Sequence, residues 1–294
     1  MKLGVVMFNT DYSIRIDELA REVEGRGFES LFLPEHTHIP VSRKRPWPGG
    51  PKLPQEYWHL LDPFVGLTAA AAATTRLKVG TGICLAVERD PIILAKQVAS
   101  LDFLSGGRFL FAIGGGWNAE EMANHGTEYG QRWKILRERV LAMKEIWTKD
   151  EPEFHGEFVN FGPIWSWPKP VQKPHPPVLL GVNKPNARQK IVEFADGWFP
   201  LADRAGDIPE GIADLRRRAA AAGRDPDTLT VSVFGAKPDV EVLRSYEKAG
   251  VTRAIFGLPV ADRDIVLMVL DDLAKFVEMF RSRRPALDIP SCGE

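Results

Sequence analysis

The chain has 294 residues, 44% of them hydrophobic and 26% charged, with a formal net charge of −1. This is an ordinary composition for a soluble globular protein, without the positive excess that draws nucleic acid, and the length suits one large core or two smaller domains. Its two cysteines, Cys84 and Cys292, suggest neither a disulfide framework nor a zinc cluster.

The first strand-like run, 3–8, begins at once, with no basic leader or long apolar segment before it, so no signal peptide is expected. A helical pattern over 14–27 follows, then a strand at 30–34, a helix at 63–74, a strand at 77–85 and a helix at 91–104. The alanine run 69–73 is too short to cross a bilayer, and a reducing cytoplasm is the expected setting. Strands at 109–113, 178–182, 197–201, 229–234 and 254–258 then alternate with helices at 130–148, 186–194, 209–222, 240–249 and 264–283. Gly27 and Gly250 follow helical patterns as C-caps, and Pro91 suits a first helical turn.

The strands are apolar on both faces and each is followed by a helix, which predicts a parallel sheet covered by helices. An open doubly wound sheet alternates similarly. A count near eight favours closure, so the predicted fold is a single-domain (β/α)₈ TIM barrel over 1–294. Two inserts interrupt the alternation. The first, 36–61, is rich in Pro, Gly and basic residues and is expected on the catalytic face. The second, 150–177, carries a hairpin-like Phe154-His155-Gly156-Glu157-Phe158, then Trp165, Trp167 and several prolines. It is expected on the opposite face unless it climbs the side.

The stretch from Ala95 to Asn118 is the most informative. A helix ends in Ser105-Gly106-Gly107-Arg108, a strand follows, and Gly114-Gly115-Gly116-Trp117 leave it. Glycines after a barrel strand let backbone amides approach a phosphate; a tight turn with positive φ angles accounts for them equally well. No G-x-G-x-x-G fingerprint opens the first βα unit, so a Rossmann reading lacks support.

The Ala95-Lys96-Gln97, Leu101-Asp102, Ser105-Gly106-Gly107-Arg108 and Gly114-Gly115-Gly116-Trp117 segments together resemble the signature of the luciferase-like oxidoreductases. That family includes bacterial luciferase, flavin-dependent monooxygenases and deazaflavin-dependent dehydrogenases and reductases. The run from Pro170 to Val178 and Ala195-Asp196-Gly197-Trp198 carry the similarity further, and it weakens in the last quarter of the chain. The resemblance implies a flavin or deazaflavin ring across the barrel mouth, resting on a bulge at Gly82-Ile83 that is often marked by a non-prolyl cis peptide. It implies a phosphate side at Gly115, Gly116 and Trp117 and at Gly181, Val182, Asn183 and Lys184. Where the family often has a glycine pair, this chain has Asn183-Lys184, so charge would replace backbone cradling there.

The resemblance also implies a catalytic role for His36, since deazaflavin-dependent relatives commonly carry a histidine here beside the ring. A histidine can change protonation near neutrality, and a strand-end position in a barrel suits catalysis; structural hydrogen bonding is the ordinary alternative. Sugar-phosphate dehydrogenases of this type place an acid just after the strand-4 glycines. Trp117 stands there instead, which argues for a more apolar pocket and a different small organic substrate. Arg43, Lys44, Arg45, Arg89, Lys184 and Arg188 are expected on one face, suited to an acidic cofactor tail or simply solvated. Trp47, Trp58 and Trp117 could line a pocket, the core or a dimer contact.

The compact length, His36 and the basic mouth favour coenzyme F-420 (a deazaflavin) with hydride transfer; FMN with oxygen, giving a monooxygenase, is the alternative. A homodimer is expected, with neither nucleic acid nor membrane as partner. A rival from another class is a metal-dependent barrel hydrolase, because His36-Thr37-His38 has His-x-His spacing at a strand end. No histidine lies at the later strand exits to complete it, so no metal is expected. A non-catalytic flavin-binding subunit on the same fold is the remaining reading.

Overall fold

The computed structural model describes residues 1–44 and 46–281. Arg45, Cys292 and positions 282–283 of the last predicted helix lie outside the described residues. Eight parallel strands close into a barrel: β1 (Lys2–Val6), β2 (Ser30–Leu33), β3 (Lys78–Thr81), β4 (Phe109–Gly114), β7 (Val178–Gly181), β8 (Gly197–Trp198), β9 (Thr230–Phe234) and β10 (Arg253–Gly257). Pairing runs β1-β10-β9-β8-β7-β4-β3-β2, and β2 returns to β1. The predicted TIM barrel is therefore the observed fold. The two remaining strands, β5 (Phe154–His155) and β6 (Asn160–Phe161), form the hairpin expected in the second insert. The Glu138 carboxylate holds the turn by accepting the backbone N–H groups of Glu157, Phe158 and Val159.

The strands alternate with period two. Along β4, Phe109, Phe111 and Ile113 face the helices, while Leu110 and Ala112 face the barrel interior with Val6, Phe32, Leu179, Phe199 and Ile255. Gly80 on β3 leaves room for the Phe32 ring, whose edge would stand 2.5 Å from any Cβ there, so an aromatic side chain plugs the interior beneath the mouth. At the opposite end the buried Arg253 guanidinium is held by both carboxylate oxygens of Glu29 at 2.6 Å and donates to Ser232 Oγ at 3.0 Å.

The outer layer contains α1 (Ile16–Gly25), α2 (Pro63–Ala72), α3 (Pro91–Leu104), α4 (Ala119–Asn124), α5 (Arg132–Thr148), α6 (Gln189–Phe194), α7 (Ile208–Ala221), α8 (Val240–Ala249) and α9 (Arg263–Arg281). Asp62 and Asp90 cap α2 and α3 through pairs of backbone N–H groups, with proline at the next position. Gly27 (φ +80°) and Gly250 (φ +90°) take the left-handed turns at helix ends that their positions predict. The short α4, right after the strand-4 glycines, has no counterpart in the sequence pattern: six residues are too few to show a period.

The strand predicted over 77–85 ends early. Regular pairing stops at Thr81, the Gly82-Ile83 peptide is cis, and a single bridge at Cys84 rejoins Ile113. The expected departure at Gly82-Ile83 is thus present.

Candidate active site

A cavity of about 780 Å³ opens at the C-terminal ends of β3, β4, β7, β8 and β9. Pockets of a few hundred to about 1,000 Å³ hold cofactor-sized ligands. Its walls include Gly82 and Ile83 after β3, Gly115, Gly116 and Trp117 after β4, and Gly181, Val182, Asn183 and Lys184 at the end of β7. Phe199, Leu201 and Phe234 close the far side.

Close contacts explain the small residues around this mouth. The Ile83 side chain lies across Gly114 and Gly181: a Cβ on Gly114 would come within 2.0 Å of Ile83 Cδ1, and one on Gly181 within 3.4 Å of its Cγ2. The Trp133 ring lies against Gly115, 3.0 Å from where a Cβ would stand, and Gly116 turns with φ +64°. The result is an apolar ledge, Ile83 with Phe199 and Phe234, facing a glycine-lined backbone. A planar ring fits the ledge and a phosphate fits the open backbone, so the residues present suit a flavin-type cofactor.

The cations at the cavity differ from those expected. Arg132 and Lys190, in the first turns of α5 and α6, and Arg204 line it together with Lys184. Arg89 does not: it is clamped between Glu35 and Asp62, its Nε 2.6 Å from Glu35 Oε1, over the Phe64 ring. Arg188 is buried, ion-paired to Asp214 at 3.1 Å and stacked on Trp198. Arg43 donates to the Pro40 carbonyl, and neither it nor Lys44 is in the cavity wall. Arg89 and Arg188 each have a buried partner, Glu35 and Trp198, that loop position alone does not reveal. Arg132 and Lys190 had a usable signal, since the first turn of a helix following a barrel strand overhangs the mouth.

His36 is not in the cavity wall either, although the resemblance placed it beside the ring. It sits behind Trp117, its side chain only 7% exposed. Nδ1 is 2.7 Å from Glu121 Oε2, and Nε2 accepts the Trp117 indole N–H at 3.3 Å. An accepting Nε2 leaves the proton of the neutral ring on Nδ1, pointed at Glu121. Glu121, fully buried on α4, also accepts the Thr37 backbone N–H. The Tyr57 ring, from the first insert, packs on His36 at 5.3 Å and is itself flanked by Phe8 and Trp47; burial raises its phenol pKa. Thus Trp117 is a wall residue, Trp47 supports Tyr57, and Trp58 is exposed against His59. Glu121 and Tyr57 were missed because their partners come from distant loops.

His36-Thr37-His38 finds no further ligands: among the described residues no group of three His, Cys, Asp or Glu side chains is arranged to hold a metal ion. His38 instead bonds Thr37 Oγ1 and the Asn124 amide. No helix among the described residues is long and apolar enough to cross a membrane.

Residues 8–237 match the model of the luciferase-like monooxygenase family. The chain belongs to this family and is an oxidoreductase on a TIM barrel. It is 43% identical over 289 residues to an uncharacterized protein of Mycobacterium tuberculosis, covering 96% of this chain and 98% of that one. It is 35% identical over 158 residues to an FMNH(2)-dependent dimethylsulfone monooxygenase of Pseudomonas putida, covering 53% of this chain and 43% of that enzyme. An F-420-dependent secondary alcohol dehydrogenase, solved with an F-420–acetone adduct, superposes with a TM-score of 0.72 at 18% identity, over 93% of this chain and 97% of that one; this is a likeness of fold.

Proposed function

We propose that the protein is a coenzyme F-420-dependent oxidoreductase that moves a hydride to or from a small organic substrate at the barrel mouth. The observation that carries this is the spread of cationic side chains, Arg132, Lys184, Lys190 and Arg204, around one cavity with an apolar ledge. A deazaflavin carries a phosphate and an acidic tail, so it suits more positive charge than FMN, which ends at its phosphate. Gly82, Ile83 and Trp117 would face the ring, and Gly115, Gly116, Gly181, Val182, Asn183 and Lys184 the phosphate side. Asn183 has a second duty, because its side-chain Oδ1 accepts the Leu201 N–H at 3.0 Å.

When bound, the deazaflavin supplies the hydride acceptor or donor. The chain's own residues exclude water with Ile83, Phe199 and Phe234 and manage the accompanying proton. His36 would exchange that proton at Nε2, with Trp117 yielding its hydrogen bond and Glu121 balancing the positive charge. The Trp117 and Phe199 walls favour an apolar substrate over a sugar phosphate. FMN with oxygen is the second reading, favoured by the identity to the FMNH(2)-dependent monooxygenase.

A cytoplasmic homodimer is part of the proposal. Val65 on α2 and Ile93, Phe103 and Leu104 on α3 are exposed although both helices also pack inward, and a helix that is apolar all round is ordinarily covered. Titrating the protein with coenzyme F-420 and with FMN, followed by cofactor fluorescence, tests the cofactor assignment. Tighter, salt-sensitive binding of the deazaflavin is expected, and a preference for FMN would overturn it.

A further inference from the structure

Glu88, on the short turn after β3, is left unused by the site described above. Its side chain is 1% exposed, and among the described residues neither of its carboxyl oxygens has a hydrogen-bond partner. Buried polar groups are nearly always paired, and an exception asks for a reason. The positive groups nearby are committed elsewhere. Arg89, next in the chain, is held by Glu35 and Asp62, and Arg139 on α5 donates to the Ala86 carbonyl. Two further buried carboxylates, Glu35 from the β2 exit and Glu121 from α4, act on Glu88 through their charge, and His125 at the end of α4 lies 3.9 Å from it.

We propose that Glu88 and His125 form a proton path between solvent and the Glu121–His36 pair. The proposal rests on reading His36 as the group that exchanges a proton at the site. The outer end is His125, whose side chain is 29% exposed and whose Nε2 lies 3.9 Å from Glu88 Oε2. The inner end is Glu121, 2.7 Å from His36 Nδ1. Thr37 ties the two ends together, giving its backbone N–H to Glu121 Oε1 at 3.1 Å and pairing its hydroxyl with His125 Nε2 at 2.7 Å.

The electrostatics agree with this geometry. Burial first, then the charges of Glu121 and Glu35, push Glu88 up to about 9, with Arg89 and Arg139 opposing, so the carboxyl carries its proton at neutral pH. Burial and the neighbouring His38 lower His125, so the ring at the surface is a neutral acceptor there. When His36 takes a proton at Nε2, its Nδ1 proton passes to Glu121. The Glu88 carboxyl, which no hydrogen bond holds among the described residues, turns to meet Glu121 and takes that proton. It gives its own to His125 as the 3.9 Å gap closes and His125 Nε2 releases the Thr37 hydroxyl; His125 passes it on to water. One proton has left, and His36 is the other neutral tautomer; the reverse sequence delivers a proton and restores it.

The test uses the full chain without cofactor. Infrared spectra near neutral pH should show the carbonyl stretch of a protonated carboxylic acid that disappears in Glu88→Gln. In histidine-labelled protein, exchange of the His36 Nδ1 proton with water, followed by NMR, should slow on the order of tenfold in Glu88→Gln, which cannot carry a proton, and recover in Glu88→Asp. His125→Asn, near the surface, should slow it equally and keeps the test open if Glu88→Gln fails to fold. Absence of the protonated-acid band, or unchanged exchange in the variants, overturns the path. The cofactor titration reports separately: failure to bind a deazaflavin removes the proposed reaction and leaves the proton measurement standing.

Discussion

Replacing Glu29 by glutamine removes the counter-charge of Arg253 at the closed end of the barrel. Burial opposes the Glu29 charge, but the paired hydrogen bonds and charge of Arg253, with Lys78, override it and hold the carboxyl at about 2 against an ordinary 4.5. At about 1.4 kcal/mol per pH unit, that difference amounts to roughly 3 kcal/mol, with some allowance for the solvent that reaches one edge of Glu29. A depressed carboxylate contributes stability that is complete above its unfolded pKa and is lost as pH falls towards the folded one. Urea denaturation of wild type and Glu29→Gln should therefore differ by about 3 kcal/mol near neutral pH, and by only about 1 kcal/mol near pH 3. Arg253→Met combined with Glu29→Gln should lose less than the two single changes predict together, because the double variant buries no unpaired charge. A difference below about 1 kcal/mol at neutrality, or one that does not change with pH, would refute the reasoning.

His36→Ala should lower turnover with the deazaflavin by about 10²–10⁴-fold, more than the stability lost with the Glu121 and Trp117 hydrogen bonds accounts for; near-normal turnover would reduce His36 to a support for Trp117. Lys184→Glu with Lys190→Glu should weaken deazaflavin binding more than FMN binding, and raising salt should mimic the change, since exposed charges are screened over about 8–10 Å. Equal affinities in all conditions would remove this support for the deazaflavin. Gly114→Ala places a Cβ 2.0 Å from Ile83 Cδ1, so Ile83 must move; a cost of about 1–3 kcal/mol and weaker cofactor binding are expected, and wild-type values for both would contradict the role of the ledge. Ile93→Glu with Phe103→Glu should convert a dimer to a monomer in light scattering, and an unchanged mass would place any interface elsewhere.

The architecture was legible because it is written locally. Short apolar runs and helical periods report which residues face a core, and Asp62-Pro63, Asp90-Pro91 and Gly250 punctuate them with their own backbone chemistry. The glycines at the mouth were legible as residue types after a strand, and the left-handed turn at Gly116 is local, but the contacts of Gly114 with Ile83 and of Gly115 with Trp133 that exclude a Cβ arise only in the folded barrel. Gly82-Ile83 was reached through family likeness: nothing in the two residue types by themselves marks a break in the strand.

What the sequence could not decide is which charged groups meet. Arg89 and Lys184 look alike along the chain, yet one is locked between Glu35 and Asp62 and the other lines the cavity. His36 stands at the strand exit where it was expected, but Trp117 and Glu121, more than eighty positions away, take both its ring nitrogens. Hydrophobic pattern is a property of neighbouring residues and survives in one dimension. Pairing of buried polar groups depends on distances of about 3 Å between loops from different strands. Those distances come into being only when the barrel closes.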